Sequence, residues 1–179
     1  MMNPVSFYRA ARWAFTHRLS VPARLITAFA ELVFHCYLPY TAEIGRGFEV
    51  GYRGCGVVVH ARARLGENVF MGPGAIIGGR AQRHGVPRIG RNVYIAPGAK
   101  VLGDIEIGDG VVVGANAVVI HSVPARSIVA GVPARVIRMN VNSFDYTGWP
   151  PEEAGRRESD NVEIGSVDAL EERACESSK

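Results

Sequence analysis

The segment IGRNVYIAPGAKVLGDIEIGDGVVVGANAVV (residues 89–119) returns to an aliphatic residue at every sixth position. The same spacing extends over residues 65–123, and its only longer interval is the twelve residues from Ile77 to Ile89. An α-helix does not have this period, and an amphipathic strand alternates every two residues. A fixed short repeat is typical of a parallel β-helix, in which each hexapeptide forms a short strand and a turn. The sequence therefore predicts an all-β solenoid with three hexapeptides to a coil.

The first interruption of the repeat is a slip in register at residues 52–56. Val50 and Val59 lie nine residues apart, so the regular spacing is exceeded by three. The glycines at positions 51, 54 and 56 are consistent with a bulged corner or a short loop here. Bulges re-aim side chains and are common beside active sites, so this corner is a candidate functional position.

The second interruption is the polar segment at residues 80–88. Its length preserves the phase of the repeat, but the position where an aliphatic residue is expected holds Arg83. A charged side chain is not buried unpaired inside a solenoid, so we expect this segment to leave the coil as a protruding loop. Loops held by a rigid scaffold frequently carry functional residues.

Composition and periodicity divide the chain into three regions. These are a helical lead-in at residues 1–40, the solenoid at residues 41–138, and an acidic, mostly disordered tail at residues 139–179. The second helix of the lead-in has an apolar face that we expect to pack on the solenoid end or on a neighbouring subunit: Leu25, Ala28, Phe29, Leu32, Val33 and Cys36. Four arginines between positions 9 and 24 allow contact of residues 5–36 with an anionic membrane surface instead. We rank that reading second, because packing would explain the apolar face.

The net charge of +3 conceals an asymmetry along the chain. Residues 1–139 carry +9 and residues 140–179 carry −6. A basic body suits an anionic ligand such as a phosphate-bearing cofactor, although charge alone favours a solvated surface. We expect no nucleic-acid partner. The three cysteines show no paired spacing, and no signal peptide or spanning segment is evident, so a cytoplasmic location is expected.

Three motifs resemble those of hexapeptide-repeat acyltransferases, and within them the serine acetyltransferases. They are the segments at residues 89–103 and 107–119 and the sequence AGVPARVI at residues 130–137. The helical lead-in resembles that of short members associated with polysaccharide synthesis. The resemblance implies a left-handed parallel β-helix and a homotrimer with active sites between adjacent solenoids. It also implies acetyl-CoA as the acyl donor, without a metal.

Acetyl transfer to a hydroxyl needs a general base, and histidine suits this role because its pKa lies near neutrality. His84 lies in the predicted loop, where the resembling enzymes carry a catalytic histidine, so we expect it to be the base rather than a solvated loop residue. His60 follows an apolar strand one coil earlier. Stacked coils would bring it near His84 across a subunit boundary, and a corner histidine bonded to the backbone is an equal alternative.

The sequence departs from the serine acetyltransferase pattern at the first interruption. Where that family carries a catalytic histidine, this chain has Tyr52 or Arg53, depending on where a single-residue gap is placed. Tyr37 stands near the position of the family's acidic partner, and the family's second loop histidine aligns near Val86. The departure leaves three outcomes open: His84, alone or with His60, takes over the role, the acceptor differs, or activity is lost.

The resemblance also assigns residues to the cofactor. The backbones of Gly79, Pro97 and Ala115 match positions that approach the pantetheine arm, although Pro97 has no N–H to donate. Arg135 and Lys100 are candidates for contact with phosphate, and solvent-exposed cations are the equal alternative. Residues 130–135 would line the adenine end.

Three classes of function follow from these residues. The first is an acetyl-CoA-dependent O-acetyltransferase acting on a small hydroxyl acceptor, with serine as the acceptor (cysteine biosynthesis) or, alternatively, a sugar in exopolysaccharide or lipopolysaccharide synthesis. The second is a non-catalytic trimeric scaffold. The third, which we rank last, is a zinc-dependent carbonic anhydrase, because His60, His84 and His121 are widely spaced for a shared zinc ion.

Overall fold

The computed structural model describes residues 3–81 and 85–149. The described chain has three α-helices: α1 (Pro4–Thr16), α2 (Ser20–Phe34) and α3 (Ser143–Thr147). A 3-10 turn spans Gly51–Gly54. The strands are β1 (Glu43–Ile44), β2 (Glu49–Val50), β3 (Val58–Val59), β4 (Arg64–Leu65), β5 (Phe70–Met71), β6 (Ile76–Gly78), β7 (Arg88–Ile89), β8 (Tyr94–Ile95), β9 (Lys100–Leu102), β10 (Glu106–Ile107), β11 (Val112–Val113), β12 (Val118–Val119), β13 (Ile128–Gly131) and β14 (Ala134–Arg138).

Strands β1 to β12 wind into four coils, and each coil contributes one strand to each of three faces. Face 1 has the order β1-β4-β7-β10, face 2 contains β2-β5-β8-β11, and face 3 has the order β3-β6-β9-β12. Neighbouring coils pair in parallel, for example Met71 with Ile95. The aliphatics of the six-residue repeat point inward and are 0–5% exposed, as the repeat predicts.

Both ends of the solenoid are closed. At one end, Val5 and Tyr8 of α1 and Phe34 of α2 join the core. The Tyr8 hydroxyl donates to the Ala42 carbonyl at 2.8 Å and accepts from the Ile44 N–H at 3.2 Å, which fixes α1 to the first coil. At the other end, β13 pairs with β11 and turns back as antiparallel β14.

Within one chain, the predicted apolar face of α2 does not pack on the solenoid end, and its packing on a neighbouring subunit stays a prediction. Leu25 is 66% exposed and Leu32 is 74% exposed, whereas Ala23, Ala30 and Phe34 are buried. The ring of Phe7 in α1 lies 5.8 Å from the ring of Phe29 and 5.6 Å from the ring of Phe34 in α2. Most of the larger apolar side chains are therefore left on the outer side of α2.

The first part of the predicted tail folds onto face 2. Val141 is buried, and the indole N–H of Trp149 donates to the Asn68 carbonyl at 2.8 Å. The Trp149 ring also contacts Phe70, with ring centroids 5.4 Å apart. Residues 139–149 thus return from the last coil to an early one, and residues 150–179 of the predicted tail lie outside the described residues.

Candidate functional site

Face 3 differs from face 1 in the side chains that it presents outward. Face 1 presents a charged row in which Glu43 pairs with Arg64 at 3.2 Å and Arg88 pairs with Glu106 at 3.3 Å. The corresponding row of face 3 is largely apolar and consists of Val58, Ile76, Lys100 and Val118. A charged row suits solvent, and an apolar row suits contact with a ligand or a protein surface.

Both interruptions of the repeat lie at edges of face 3. The seven residues 51–57 connect β2 to β3, whereas four residues make the same connection in the next coil. The predicted slip in register is therefore confirmed as an enlarged corner. Residues 79–87 connect β6 to β7, whereas residues 103–105 make that connection one coil later. Because a strand of face 3 separates them, the enlarged corner and the long loop lie on opposite edges of this face.

The enlarged corner directs Tyr52 outward. Tyr52 and Arg53 both have left-handed backbone conformations, with φ of 50° and 60°. The Tyr52 side chain is 85% exposed, whereas the Arg53 guanidinium folds back over the ring of Phe34 at 5.5 Å. Both residues are exposed, and Tyr52 is the one whose side chain points away from the fold.

His60 lies at the opposite edge, beside the start of the long loop. Its backbone N–H donates to the Ile77 carbonyl at 2.8 Å, and the strand register sets it against Gly78. The Arg62 N–H donates to His60 Nδ1 at 3.1 Å, so the lone pair on this nitrogen is engaged. The neutral ring then carries its proton on Nε2, which makes His60 a hydrogen-bond donor towards a ligand.

His84, the predicted general base, lies outside the described residues. The described ends of its loop are consistent with departure from the coil, since residues 79–81 are exposed. On the returning side, Gly85 lies directly against the carboxylate of Asp104, where a larger residue would overlap it. These contacts fix both ends of the loop at one edge of face 3.

Of the predicted cofactor residues, Pro97 and Ala115 stack in consecutive coils. Both are exposed at the corner between faces 2 and 3, and the hairpin carrying Arg135 follows in the coil above. Lys100 is half-buried, and its ammonium donates to the Gly98 carbonyl at 2.9 Å. Gly79 lies at the other edge of face 3, and no atom of residues 3–81 or 85–149 beyond its chain neighbours lies within 4 Å of the position that a Cβ would occupy.

The structure separates His60 from His121. The two histidines follow β3 and β12, which are three strands apart in face 3, or about 14 Å at the usual strand spacing. Zinc–nitrogen bonds are about 2.0–2.1 Å long, so one zinc ion cannot bind both histidines of one chain. Within residues 3–81 and 85–149, no three metal-ligating side chains come together.

Known proteins resemble the chain over most of its length. Residues 87–121 match the family model described as bacterial transferase hexapeptide (six repeats). A serine acetyltransferase of Staphylococcus aureus is 37% identical over 157 residues, which cover 83% of this chain and 72% of that protein. The chain belongs to the serine acetyltransferase family. A second serine acetyltransferase, from Synechococcus elongatus, is 34% identical over 82% of this chain but 62% of its own length.

Solved serine acetyltransferases share the fold. One in complex with cysteine superimposes with a TM-score of 0.74 at 28% identity, covering 82% of this chain and 58% of that chain. The Brucella abortus enzyme in complex with coenzyme A gives 0.71 at 31% identity, covering 75% and 54%. The predicted left-handed parallel β-helix is therefore confirmed. The chain spans less than two thirds of the length of the first curated relatives and of these structures.

Family membership gives Tyr52 its significance. The enlarged corner is where the sequence resemblance places a catalytic histidine of the family, and the exposed side chains there are Tyr52 and Arg53. The sequence identified the corner from its slip in register. It did not identify which side chain the corner directs outward, because that depends on two consecutive left-handed residues.

Proposed function

We propose that the chain is an acetyl-CoA-dependent O-acetyltransferase that acts on a small hydroxyl acceptor, with serine as the first candidate. The observation that carries the proposal is the position of both repeat interruptions at the edges of apolar face 3, in a chain of the serine acetyltransferase family. The complex of a relative with coenzyme A supports acetyl-CoA as the donor. In this proposal the product, an acetylated serine, serves cysteine biosynthesis in the cytoplasm.

The proposed active form is a homotrimer. Tyr52 and the long loop lie on opposite edges of face 3 in one chain, so a second copy is needed to bring a loop against a Tyr52 corner. The apolar outer row of face 3 supports contact between copies. Among the described residues, no helix is long and apolar enough to cross a membrane.

The proposed chemistry is direct transfer. His84 takes the proton of the acceptor hydroxyl while its oxygen attacks the thioester carbonyl carbon. The tetrahedral intermediate then collapses, the carbon–sulfur bond breaks, and the coenzyme A thiolate leaves and is protonated. His60, as a donor through Nε2, is suited to hydrogen-bond the substrate or the developing oxyanion rather than to accept the proton.

The decisive test measures free coenzyme A released from acetyl-CoA with serine, with several sugars, and with no acceptor. His84→Ala should reduce release about 10²–10⁴-fold, the usual contribution of a general base. His121→Ala is the matched control, because His121 lies at the same edge of face 3 but far from the loop. Equal activity of the two variants would refute the assignment of His84.

Gly79→Ala tests the cofactor assignment separately. A methyl group at Gly79 meets no atom of the described residues within 4 Å, so the described part of the fold should tolerate it. If the pantetheine arm approaches this backbone, the variant should raise the KM for acetyl-CoA while its melting temperature stays unchanged. An unchanged KM would remove Gly79 from the proposed site.

One observation favours a second acceptor class. Tyr52 replaces the family histidine at the outward corner position, and a phenol presents both a donor and an acceptor to a polyhydroxylated ligand. A sugar is therefore the alternative acceptor. Release of coenzyme A with a sugar but not with serine would establish it, and no release with any acceptor would favour the non-catalytic scaffold.

A further inference from the structure

A cleft of about 570 Å³ lies away from face 3, between α1 and the beginning of face 1. One wall of the cleft is formed by β1, Gly45 and β4. The other wall is a stripe of α1 that consists of Arg9, Arg12, Trp13 and Thr16. These four residues have the i, i+3, i+4, i+7 spacing of a single helix face. The sequence contains this signal, and the arginines in it also allow the membrane-surface contact considered above.

The cleft is positively charged. Its lining contains Arg9, Arg12 and Arg64, against a single carboxylate, Glu43. Glu43 is already paired with Arg64 at 3.2 Å. Arg12 is held in place because its guanidinium donates to the Tyr40 carbonyl at 3.0 Å.

Arg9 is the cation left for a ligand. Among the described residues it has no hydrogen-bond or ion-pair partner, although its charge and that of Arg12 both act on the Tyr8 phenol at the cleft. An unpaired arginine beside a fixed one is suited to carboxylates or phosphates.

The returning C-terminal segment ends close to this cleft. Trp149 is held at Asn68, only three residues along the chain from Leu65 in the cleft wall. Three residues span at most about 11 Å. The next acidic residues, Glu152 and Glu153, follow Trp149 by three and four residues, which allows a reach of about 10–14 Å.

The positive charge of the cleft and its short distance from Trp149 both indicate the same occupant. Residues 150–179 carry nine acidic and four basic residues. We propose that the acidic segment that follows Trp149, beginning with Glu152 and Glu153, binds the arginine-lined cleft of the same chain. The short connection from Trp149 gives these carboxylates a high effective concentration at Arg9, which a free anion lacks.

The test uses the full chain and the rate at which trypsin cleaves after Arg156 and Arg157, measured by mass spectrometry at low salt. Binding of the preceding carboxylates should protect these bonds. Arg9→Glu should therefore accelerate cleavage about fivefold, the effect of losing one or two exposed ion pairs. Arg24→Glu, an equal charge change outside the cleft lining, should leave the rate unchanged.

A double-mutant cycle separates binding from the preferences of trypsin. Glu152→Gln with Glu153→Gln should accelerate cleavage clearly in the parent chain and much less in the Arg9→Glu background. Purely additive effects, or equal rates for Arg9→Glu and Arg24→Glu, would overturn the proposal. Protection that falls on dilution would place the segment in the cleft of a second copy and would also overturn it.

Discussion

Replacement of Trp149 by alanine tests whether the returning C-terminal segment is part of the folded unit. The Trp149 side chain is 8% exposed, packs against Phe70 and donates one hydrogen bond to the Asn68 carbonyl. Truncation of a buried tryptophan to alanine typically costs about 3–5 kcal/mol. Because Trp149 packs on the outer surface of face 2 and not inside the solenoid, we expect a loss at the lower end of this range, about 3 kcal/mol in the free energy of unfolding.

Urea denaturation provides the measurement. With a slope of about 1–3 kcal/mol per molar urea, a loss of about 3 kcal/mol lowers the midpoint by about 1–3 M. Trp149→Phe keeps most of the apolar contact and removes the indole hydrogen bond, so it should cost only about 1 kcal/mol. A Trp13→Phe background leaves Trp149 as the only tryptophan, so that its fluorescence reports this segment alone.

Two results would refute the reasoning. An unchanged midpoint for Trp149→Ala, together with native fluorescence typical of a water-exposed indole, would show that the segment does not pack on face 2. Loss of the Trp149 signal at lower urea than the circular dichroism of the solenoid would show that the segment opens as a separate unit, which would limit its contribution to stability.

Three further predictions concern single side chains. Gly72→Ala should lower the free energy of unfolding by about 2 kcal/mol in urea titrations, because the new Cβ would lie 2.5 Å from the backbone nitrogen of Pro97; an unchanged midpoint would contradict this contact. Tyr8→Phe should cost about 1–3 kcal/mol in the same assay, because it removes the hydrogen bond to the Ala42 carbonyl and leaves the Ile44 N–H unpaired. A loss below about 0.5 kcal/mol would show that the hydroxyl does not fix α1. Burial raises the pKa of the Cys36 thiol to about 11, so iodoacetamide at pH 8 should alkylate exposed Cys55 and spare Cys36. The raised pKa should also make the free energy of unfolding decline as the pH rises from 9 towards 11. Equal alkylation rates for the two thiols would contradict the burial of Cys36.

The repeat predicted the solenoid because each of its units is a local pattern. The inward residue of every hexapeptide stacks on its equivalents, so periodicity alone identifies the core and the two places where the coil is interrupted. The same logic located the enlarged corner and the beginning of the long loop. Periodicity did not predict the contacts that the helices and the C-terminal segment make.

Two errors or omissions show where local patterns fail. In α2, the stripe with the largest apolar side chains was expected to pack on the solenoid end or on a neighbouring subunit, but within one chain the buried residues of this helix are Ala23, Ala30 and Phe34. The contact of Trp149 with Asn68 joins residues 81 positions apart, and no periodicity reports such a contact. One well-packed tryptophan therefore lies in a segment for which the acidic composition predicted disorder.

The hydrogen bond at His60 limits which residue can act as the general base in the proposed reaction. A general base must present a free lone pair to the acceptor hydroxyl, and the Nδ1 lone pair of His60 is engaged by the Arg62 N–H. Tyr52, the outward residue of the other edge, carries a phenol and not the imidazole that suits a general base. The proposal therefore rests on His84 for proton removal and on the loop of one copy meeting the Tyr52 corner of another. In that arrangement the apolar face 3 has two functions, because the surface that joins two copies is also the surface that assembles the site.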